Sequence, residues 1–286
     1  MVPMKILEIS DNSGKTSAKI NLGNSQMFSL KHEGMEFMWG GGRPDEDKIP
    51  AEKSGWQNSE IIMFPIVGAS KSGRVIIEGT EYPMGQHGTA RHAGFTLSSH
   101  TGSTATFIQT YHARDKVGGQ GYASSFPFDY RIKKTYSVET AALMFSVEIA
   151  NLSESPMPFA IGWHPAFLTF SDQPREHFVR VMPAETSVPQ IYYIDTIKER
   201  SKNGSIVESS STAEYSCPLG TISVESDLGY IQLWSPEGQS QVCVEPISAR
   251  PDPNYDGELS EKQGYKILLA RATKEFTFRL GITPKG

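Results

Sequence analysis

The sequence predicts an all-β fold in which antiparallel strands pack as a sandwich of large sheets. Most patterned segments alternate apolar and polar side chains with a period of two, which is typical of strands with one buried face. The 26 glycines and 18 prolines stand mostly at expected turns between these segments. No long amphipathic helix and no Pro/Ser-rich linker is evident. These features favour one antiparallel sandwich over an alternating βαβ fold.

Two segments show the strand pattern most clearly. In LMFSVEI at 143–149 one face is apolar throughout, and FTFRL at 276–280 repeats the pattern near the C-terminus. Further strands are predicted at 5–10, 26–32, 74–79, 104–113, 128–138, 177–182 and 266–270.

The whole chain, residues 1–286, is expected to form a single domain. Sandwiches and barrels often exceed about 200 residues as one unit, so this length fits one large β domain. The apolar fraction of 38% is sufficient for a core, and the charged fraction of 21% is too low for a disordered chain. The serine-rich segment 201–211 is interpreted as a mobile loop, or as a short edge hairpin through Ile206 and Val207.

Charge, hydropathy and cysteine content limit the partners. The net charge is −5 and no Lys/Arg cluster is present, so nucleic acid is not an expected partner. No segment approaches the roughly 20 apolar residues of a membrane span, and MVPMKILEIS lacks the features of a signal peptide. Cys217 and Cys243 have no C-x-x-C spacing, which fits a reducing compartment. We therefore expect a cytoplasmic protein without membrane contact, either a monomer or a homodimer.

Three short segments concentrate titratable, ring-bearing and turn-forming residues beyond what a plain sandwich requires. They are GQHGTARHAGF at 85–95, IGWHPAF at 161–167 and VCVEPISARPD at 242–252. Each places a titratable side chain at a strand end beside glycine or proline. An active site is predicted where the three meet.

In the first segment, Gly85 and Gly88 flank His87 and allow a sharp turn with close approach of another group. Arg91 follows, and a planar guanidinium suits hydroxyl, carboxylate or phosphate recognition. A surface loop with an ordinary histidine and a salt-bridged arginine would give the same sequence. Both interpretations stay open at this point.

In the second segment, His164 stands between Trp163 and Pro165 after an apolar strand, with Phe167 close behind. Aromatic rings around a turn form a cup of the kind to which sugars bind through their apolar faces. The alternative is a core histidine whose ring is satisfied by a backbone carbonyl.

In the third segment, Glu245 follows the alternating residues QVCV and precedes Pro246, which is expected to stop sheet pairing. Alternation places Glu245 on the same face as Cys243, beside a partly apolar stripe. A carboxylate there is either paired or functional, because an unpaired buried charge is costly. Cys243 itself is interpreted as a structural thiol.

The sequence motifs expected for several other classes of enzyme are absent. H-E-x-x-H is absent, and His87 and His92 are five residues apart, so no catalytic metal is expected. No phosphate loop, dinucleotide fingerprint or G-x-S-x-G segment is present, which removes nucleotide cofactors and serine hydrolysis. A glycosidase requires two carboxylates, and Asp252 and Asp256 are no clear partners for Glu245.

The ordered segments resemble the aldose 1-epimerase family, which has the galactose mutarotase-like fold. The family motif G-x-H-P-x-F matches residues 162–167, v-x-v-E-P matches 242–246, and H-G-x-x-R resembles 87–91. MFPIVG at 63–68 resembles a segment of the bacterial branch. The resemblance runs from about Trp39 to Asp252, which is most of the chain.

This resemblance implies a β-supersandwich and a cofactor-independent isomerase that interconverts the α and β anomers of a free aldohexose. Glu245 is then the base on the C1 hydroxyl, His164 the acid on the ring oxygen, and His87 a second ring-side donor. Arg91, Trp163 and Phe167 would bind the sugar. Such positioned acid–base groups typically contribute about 10²–10⁴-fold each.

Two departures from the family pattern leave the substrate open. Ala69 and Ser70 stand where many members have an arginine after V-G, and Arg74 comes later in the chain. The candidates for a substrate-binding aspartate, Asp195 and Asp227, match no motif. The alternatives are a non-catalytic carbohydrate-binding protein of the same fold and a hexose-6-phosphate epimerase.

Overall fold

The computed structural model describes residues 5–40, 56–118, 124–170, 174–186 and 188–285. Strands dominate these ranges, and their pairing is antiparallel throughout the named sheets. In chain order the strands are β1 (Ile6–Ser10), β2 (Thr16–Asn21), β3 (Met27–His32), β4 (Met35–Glu36), β5 (Ile62–Met63), β6 (Arg74–Ile77), β7 (Thr80–Pro83), β8 (Thr96–His100), β9 (Thr104–Tyr111), β10 (Tyr130–Glu139), β11 (Ala142–Asn151), β12 (Met157–Phe159), β13 (Gly162–Trp163), β14 (Ala166–Leu168), β15 (Phe178–Val181), β16 (Gln190–Tyr193), β17 (Ile206–Glu208), β18 (Thr212–Cys217), β19 (Gly220–Ser226), β20 (Tyr230–Trp234), β21 (Gln241–Ile247), β22 (Lys266–Leu268) and β23 (Thr273–Pro284).

Two large sheets pack face to face. The nine-stranded sheet has the order β16-β15-β18-β19-β23-β11-β10-β9-β8, and the six-stranded sheet has the order β17-β20-β21-β13-β5, with β14 also paired to β21. Alternate residues of β10 and β11 are buried, as period-two patterning requires. Phe145 of β11 and Phe278 of β23 contact the ring of Trp163 on β13. The core therefore lies between the two sheets.

Smaller elements complete the molecule. Strands β1–β4 form a four-stranded sheet, and the pairs β6–β7 and β12–β22 form two-stranded sheets. The α-helix α1 spans Ile194–Ser201, and short 3₁₀ turns lie at Lys71–Gly73, Pro174–Glu176 and Leu259–Glu261. Helix α1 was not predicted; its eight residues bury Ile194 and Ile197 against the sheets. None of the helices in the described ranges is long and apolar enough to cross a membrane.

The all-β, antiparallel sandwich predicted from the sequence is confirmed. Each of the predicted strands is present, with bounds that differ by a few residues from those expected. Ile206 and Val207 lie in β17 at the edge of the six-stranded sheet, as the alternative of a short edge hairpin required, but β17 pairs with the distant strand β20 and forms no hairpin within that segment. One hydrophobic cluster extends from Ile9 to Ile282, and the single-domain organisation stays a prediction.

Strand β21 is buried along its full length because both of its faces are covered. Val242 and Val244 belong to the main core, whereas Cys243 packs with Trp39 on the opposite face of the sheet. The expectation that Pro246 stops sheet pairing is wrong, since Pro246 pairs with Ile231 of β20. Antiparallel ladders alternate between hydrogen-bonded and non-hydrogen-bonded positions, so a residue without an N–H is tolerated at some of them.

Candidate active site

Glu245 and His164 form the centre of the candidate site on the outer face of the six-stranded sheet. Glu245 lies on β21, and His164 directly follows β13, the neighbouring strand. The His164 Nε2 atom is 3.4 Å from Glu245 Oε1, and both side chains are buried. The backbone N–H of His164 donates to the carbonyl of Ile61, which fixes the turn from which the imidazole projects. The two predicted catalytic residues are thus brought together.

Among the described residues, only one of the two carboxyl oxygens of Glu245 has a hydrogen-bond partner. Its Oε2 atom accepts a 2.6 Å hydrogen bond from Nε2 of Gln232 on the adjacent strand β20. Its Oε1 atom has no hydrogen-bond partner in the described part of the chain. Burial raises the pKa of Glu245 well above its ordinary value, and the Gln232 bond opposes this effect only partly. Burial therefore favours the protonated form of Glu245.

The imidazole of His164 is enclosed by two indoles. Trp56 stacks on it with ring centroids 4.6 Å apart, and Trp234 lies edge-on at 6.0 Å. Burial, together with the positive charge of Arg91, lowers the pKa of His164 to about 3. Burial thus favours the neutral imidazole and the protonated carboxyl, the form in which the pair holds one proton.

His87 lies at the tip of the first predicted segment, beside His164. The two imidazole centroids are 5.5 Å apart. The backbone N–H of Gly68 donates to His87 Nδ1 at 3.1 Å, so Nδ1 is the acceptor and Nε2 carries the proton of the neutral ring. Burial lowers the pKa of His87 well below its ordinary value, and the nearby His164 and Arg91 lower it further. His87 is thus a neutral hydrogen-bond donor.

A tight turn holds His87 in place. Both His87 and Gly88 have left-handed φ values, 63° and 77°. A Cβ atom on Gly88 would lie 2.3 Å from the carbonyl oxygen of Phe64, so only glycine fits there. That carbonyl accepts the N–H groups of Thr89 and Ala90, which ties the turn to the MFPIVG segment. The glycine predicted to allow close approach does so.

A cavity of about 510 Å³ opens over these residues. Its walls carry both indoles and a set of neutral polar side chains: Gln86, Ser201, Asn203, Ser205 and Gln232. His87, His164 and Arg91 also line it, as do Pro251 and Pro253. An apolar aromatic wall combined with a few convergent polar groups is typical of a small-molecule site and suits a sugar ring.

The expected binding roles of Trp163 and Phe167 are not supported, because neither side chain lines the cavity. Trp163 is fully buried, and its Nε1–H donates to the carboxylate of Glu60 in the core. Phe167 is fully buried against Tyr215. Successive residues of a strand point to opposite faces, so Trp163 faces the core where His164 faces the cavity. The indoles of Trp56 and Trp234 form the aromatic wall instead.

The sequence interpretation missed Gln232 and Trp234 as site residues. The sequence signal for both is the strand segment YIQLW, in which Gln232 and Trp234 occupy one face while Ile231 and Leu233 occupy the other.

None of the four aspartates considered from the sequence lines the cavity: Asp195, Asp227, Asp252 and Asp256. Asp256 instead pairs with Lys71 and Arg74. Arg74 also pairs with Glu81, so it does not replace the family arginine. Ala69 does line the cavity, at the position where that arginine is missing.

Three side chains are of types that bind metal ions. One ligand atom each from His164, Cys243 and Glu245 lies within 4.8 Å of the others, and all three residues are buried. Burial raises the pKa of the Cys243 thiol well above its ordinary value, which opposes the thiolate that metal binding requires. The uncharged trio is better suited to holding and moving a proton than to holding a cation.

The chain was compared with known proteins. The family model for aldose 1-epimerase matches residues 50–212, which is more than half of the chain. Protein LacX from Lactococcus lactis subsp. lactis is 25% identical over 149 residues, which are 50% of this chain and 44% of that protein. The match thus spans less than half the length of this curated relative.

Solved structures show the same fold over nearly the full chain. A galactose mutarotase-like protein from Lactobacillus casei has a TM-score of 0.81 at 23% identity, covering 98% of this chain and 100% of that one. A galactose mutarotase related enzyme from Lactobacillus acidophilus has a TM-score of 0.74 at 21% identity, with coverages of 98% and 97%. Galactose 1-epimerase from Lactobacillus acidophilus NCFM has a TM-score of 0.60 at 11% identity, with coverages of 99% and 100%. At these identities the similarity establishes the galactose mutarotase-like fold, and with the match to the family model it follows that the chain belongs to the aldose 1-epimerase family.

Proposed function

We propose that this protein is an aldose mutarotase that interconverts the α and β anomers of a free aldose by acid–base ring opening. The observation that carries the proposal is the buried pair of Glu245 and His164, 3.4 Å apart at an aromatic-walled cavity. Ring opening requires one proton to leave the C1 hydroxyl and another to reach the ring oxygen. A carboxyl and an imidazole that share one proton supply both functions.

The reaction proceeds through the open-chain aldehyde. As the C1–O1 bond becomes a carbonyl, the O1 proton passes to Glu245, the C1–O5 bond breaks, and His164 delivers a proton to O5. Rotation about C1–C2 exposes the other carbonyl face, and closure returns each proton by the reverse steps. No atom is gained or lost, so no cofactor is required.

Burial favours the uncharged form of the pair, whereas the ring opening described above starts from carboxylate and imidazolium. A bound sugar assists the change, because its O1–H becomes a second donor to the carboxylate beside Gln232. Hydrogen bonds to the charged form of a group favour that form. His87, whose Nε2 carries the proton, would donate to the ring-oxygen side of the sugar.

The cavity lining favours isomerisation over glycoside hydrolysis. Hydrolysis by the common mechanisms requires a second carboxylate across the scissile bond. Among the described residues that line the cavity there is no aspartate or glutamate. Glu245 does not itself line the cavity, but it contacts Gln232 and His164, which do, so we assign its carboxyl group to the sugar.

The test is polarimetry of freshly dissolved α-D-glucose, α-D-galactose and glucose 6-phosphate with the purified protein, alongside intrinsic tryptophan fluorescence. We expect acceleration over buffer that is proportional to protein concentration, with a fluorescence change from Trp56 and Trp234. A fluorescence change without acceleration would instead establish a carbohydrate-binding protein. Acceleration confined to glucose 6-phosphate would establish a hexose-6-phosphate epimerase.

A further inference from the structure

The guanidinium of Arg91 is a feature of the cavity that the proton transfer does not use. It is half-buried, and its Nη1 atom lies 3.5 Å from the backbone carbonyl oxygen of Gln86, at the limit of a hydrogen bond. Burial lowers its pKa, and in the described part of the chain no carboxylate offsets that effect. A partly desolvated cation without an ionic partner is costly, so the site is electrostatically complementary to an anion.

The rest of the lining does not neutralise this charge. Both histidines are neutral, and the remaining polar groups of the described lining are amides and hydroxyls. Arg91 is held by the same turn as His87, with Thr89 and Ala90 bonded to the carbonyl of Phe64. The guanidinium is therefore carried on a fixed backbone rather than on a free loop tip.

The position of Arg91 indicates which part of a sugar would meet it. Arg91 lines the cavity together with His87 and His164 and follows His87 on the same turn, so it lies on the histidine side of the cavity. The effect of its charge, which lowers the pKa of both histidines, agrees with this position. In the proposed reaction these histidines face the ring oxygen, O5. O5 is bonded to C1, which carries the reacting O1, and to C5, which carries C6; C6 is therefore the other substituent next to the ring oxygen. An anionic group at C6 would thus lie beside Arg91.

We propose that the preferred substrate is a hexuronate, a free aldose whose C6 is a carboxylate, and that Arg91 binds this carboxylate as a bidentate pair. This inference rests on the proposed mutarotase function. One planar guanidinium matches one planar carboxylate through two parallel hydrogen bonds. A phosphate dianion commonly recruits more than one cationic donor, and Arg91 is the cationic side chain in the described lining.

The carboxylate would also act on the catalytic pair. By compensating the charge of Arg91, it removes one of the two causes that lower the pKa of His164. Protonation of His164 then becomes easier when the substrate is bound, which favours the carboxylate–imidazolium form that opens the ring. Substrate charge and catalysis are coupled through one side chain.

The experiment compares kcat/KM for anomer exchange, measured by NMR, among D-glucuronate, D-galacturonate, the parent hexoses and glucose 6-phosphate. We expect a uronate to exceed its parent hexose by about tenfold or more, the effect of one charge-assisted hydrogen-bonded pair. Arg91→Gln should reduce kcat/KM for the uronate about tenfold more than for the hexose. Arg74→Gln is the matched control, since Arg74 is already paired with Glu81 and Asp256, and it should leave the ratio unchanged.

Three other outcomes of this experiment would each overturn a different claim. Equal or slower exchange of the uronates, with the hexoses accelerated, overturns the hexuronate inference and leaves the mutarotase function intact. A preference for glucose 6-phosphate over both uronates overturns the carboxylate assignment in favour of phosphate. No acceleration of any of these sugars overturns both the inference and the function on which it rests.

Discussion

The carboxyl oxygen Oε1 of Glu245 lies 3.4 Å from Nε2 of His164, and burial shifts the two pKa values in opposite directions. The pKa of the acid rises above that of the base, so their ordinary order is inverted. Across a broad range of pH the pair therefore holds one proton, whichever of the two carries it. This inversion determines how activity depends on pH.

We expect kcat/KM for mutarotation not to fall as the pH is lowered from 7 to 5. The pKa of His164 is lowered to about 3, so a second proton does not enter the pair in that range. As the pH rises, activity falls when Glu245 loses the shared proton at its raised pKa. The measurement is polarimetry corrected for the spontaneous rate at each pH. An acid limb with its midpoint near 6.5 would show that His164 titrates as it does in water.

The same burial makes Glu245 a source of instability at alkaline pH. Its folded pKa is raised above the unfolded value, so the folded state binds the proton more tightly. The resulting stability is complete below the unfolded pKa and is lost as the pH rises toward the folded pKa. We expect Glu245→Gln to gain about 1–3 kcal/mol in free energy of unfolding relative to wild type between pH 5 and 9. Urea unfolding of wild type and Glu245→Gln at pH 5 and pH 9 measures this gain in free energy of unfolding. A gain that is the same at both pH values would contradict the prediction.

A buried ion pair supports the site from the core side. The Oε1 atom of Glu60 lies 3.5 Å from the Nζ atom of Lys134, and the Glu60 carboxylate also accepts hydrogen bonds from Tyr136 and Trp163. Glu60→Ala leaves Lys134 buried without its carboxylate, so we expect a loss of about 3–5 kcal/mol in unfolding free energy. The control uses the preceding residue of β10, Lys133, whose partner is Glu148 on the solvent side.

Glu148→Ala breaks that half-exposed pair and should cost about 0–1 kcal/mol. Urea unfolding of the two variants compares pairs on opposite faces of one strand. Similar losses in both would show that the core pair contributes no more than the surface pair does.

Gly88 should be far less replaceable than another glycine of similar backbone conformation. Gly88 and Gly79 have φ values of 77° and 72°, but only at Gly88 does an added Cβ meet backbone, 2.3 Å from the Phe64 oxygen. Gly79→Ala is expected to cost about 1–2 kcal/mol from its φ alone. Gly88→Ala should cost more and should also lower mutarotation by displacing His87. Thermal melts and polarimetry of both variants give the comparison, and equal melting temperatures would contradict it.

Much of the fold was predictable because alternation reports burial directly. The patterns at 143–149 and 276–280 mark β11 and β23, the neighbouring strands at the centre of the large sheet. Helix α1 was missed because its eight residues are held by contacts distant in sequence. Pro246 was misjudged for a related reason, since its tolerance depends on which ladder position it occupies.

The candidate site was predictable where a residue type itself carries the chemistry. Glu245, His164, His87 and Arg91 are titratable groups beside turn residues; the last three line one cavity, and Glu245 lies next to His164 beneath its lining. Trp163 and Phe167 were misassigned because closeness in sequence to His164 was taken for a shared face. The aromatic wall comes from Trp56 and Trp234, which are distant in sequence and meet only in the folded chain.

The most direct test of the account compares mutarotation by wild type, Glu245→Gln and Glu214→Gln, with sugar binding followed by tryptophan fluorescence. Glu214 lies on the surface and pairs with Arg180, so its variant controls for the loss of one carboxylate. We predict that Glu245→Gln folds and still binds sugar but loses about 10²-fold or more in rate, whereas Glu214→Gln keeps the wild-type rate. Wild-type rates in Glu245→Gln would contradict the assignment of Glu245 and His164 as the proton-transferring pair.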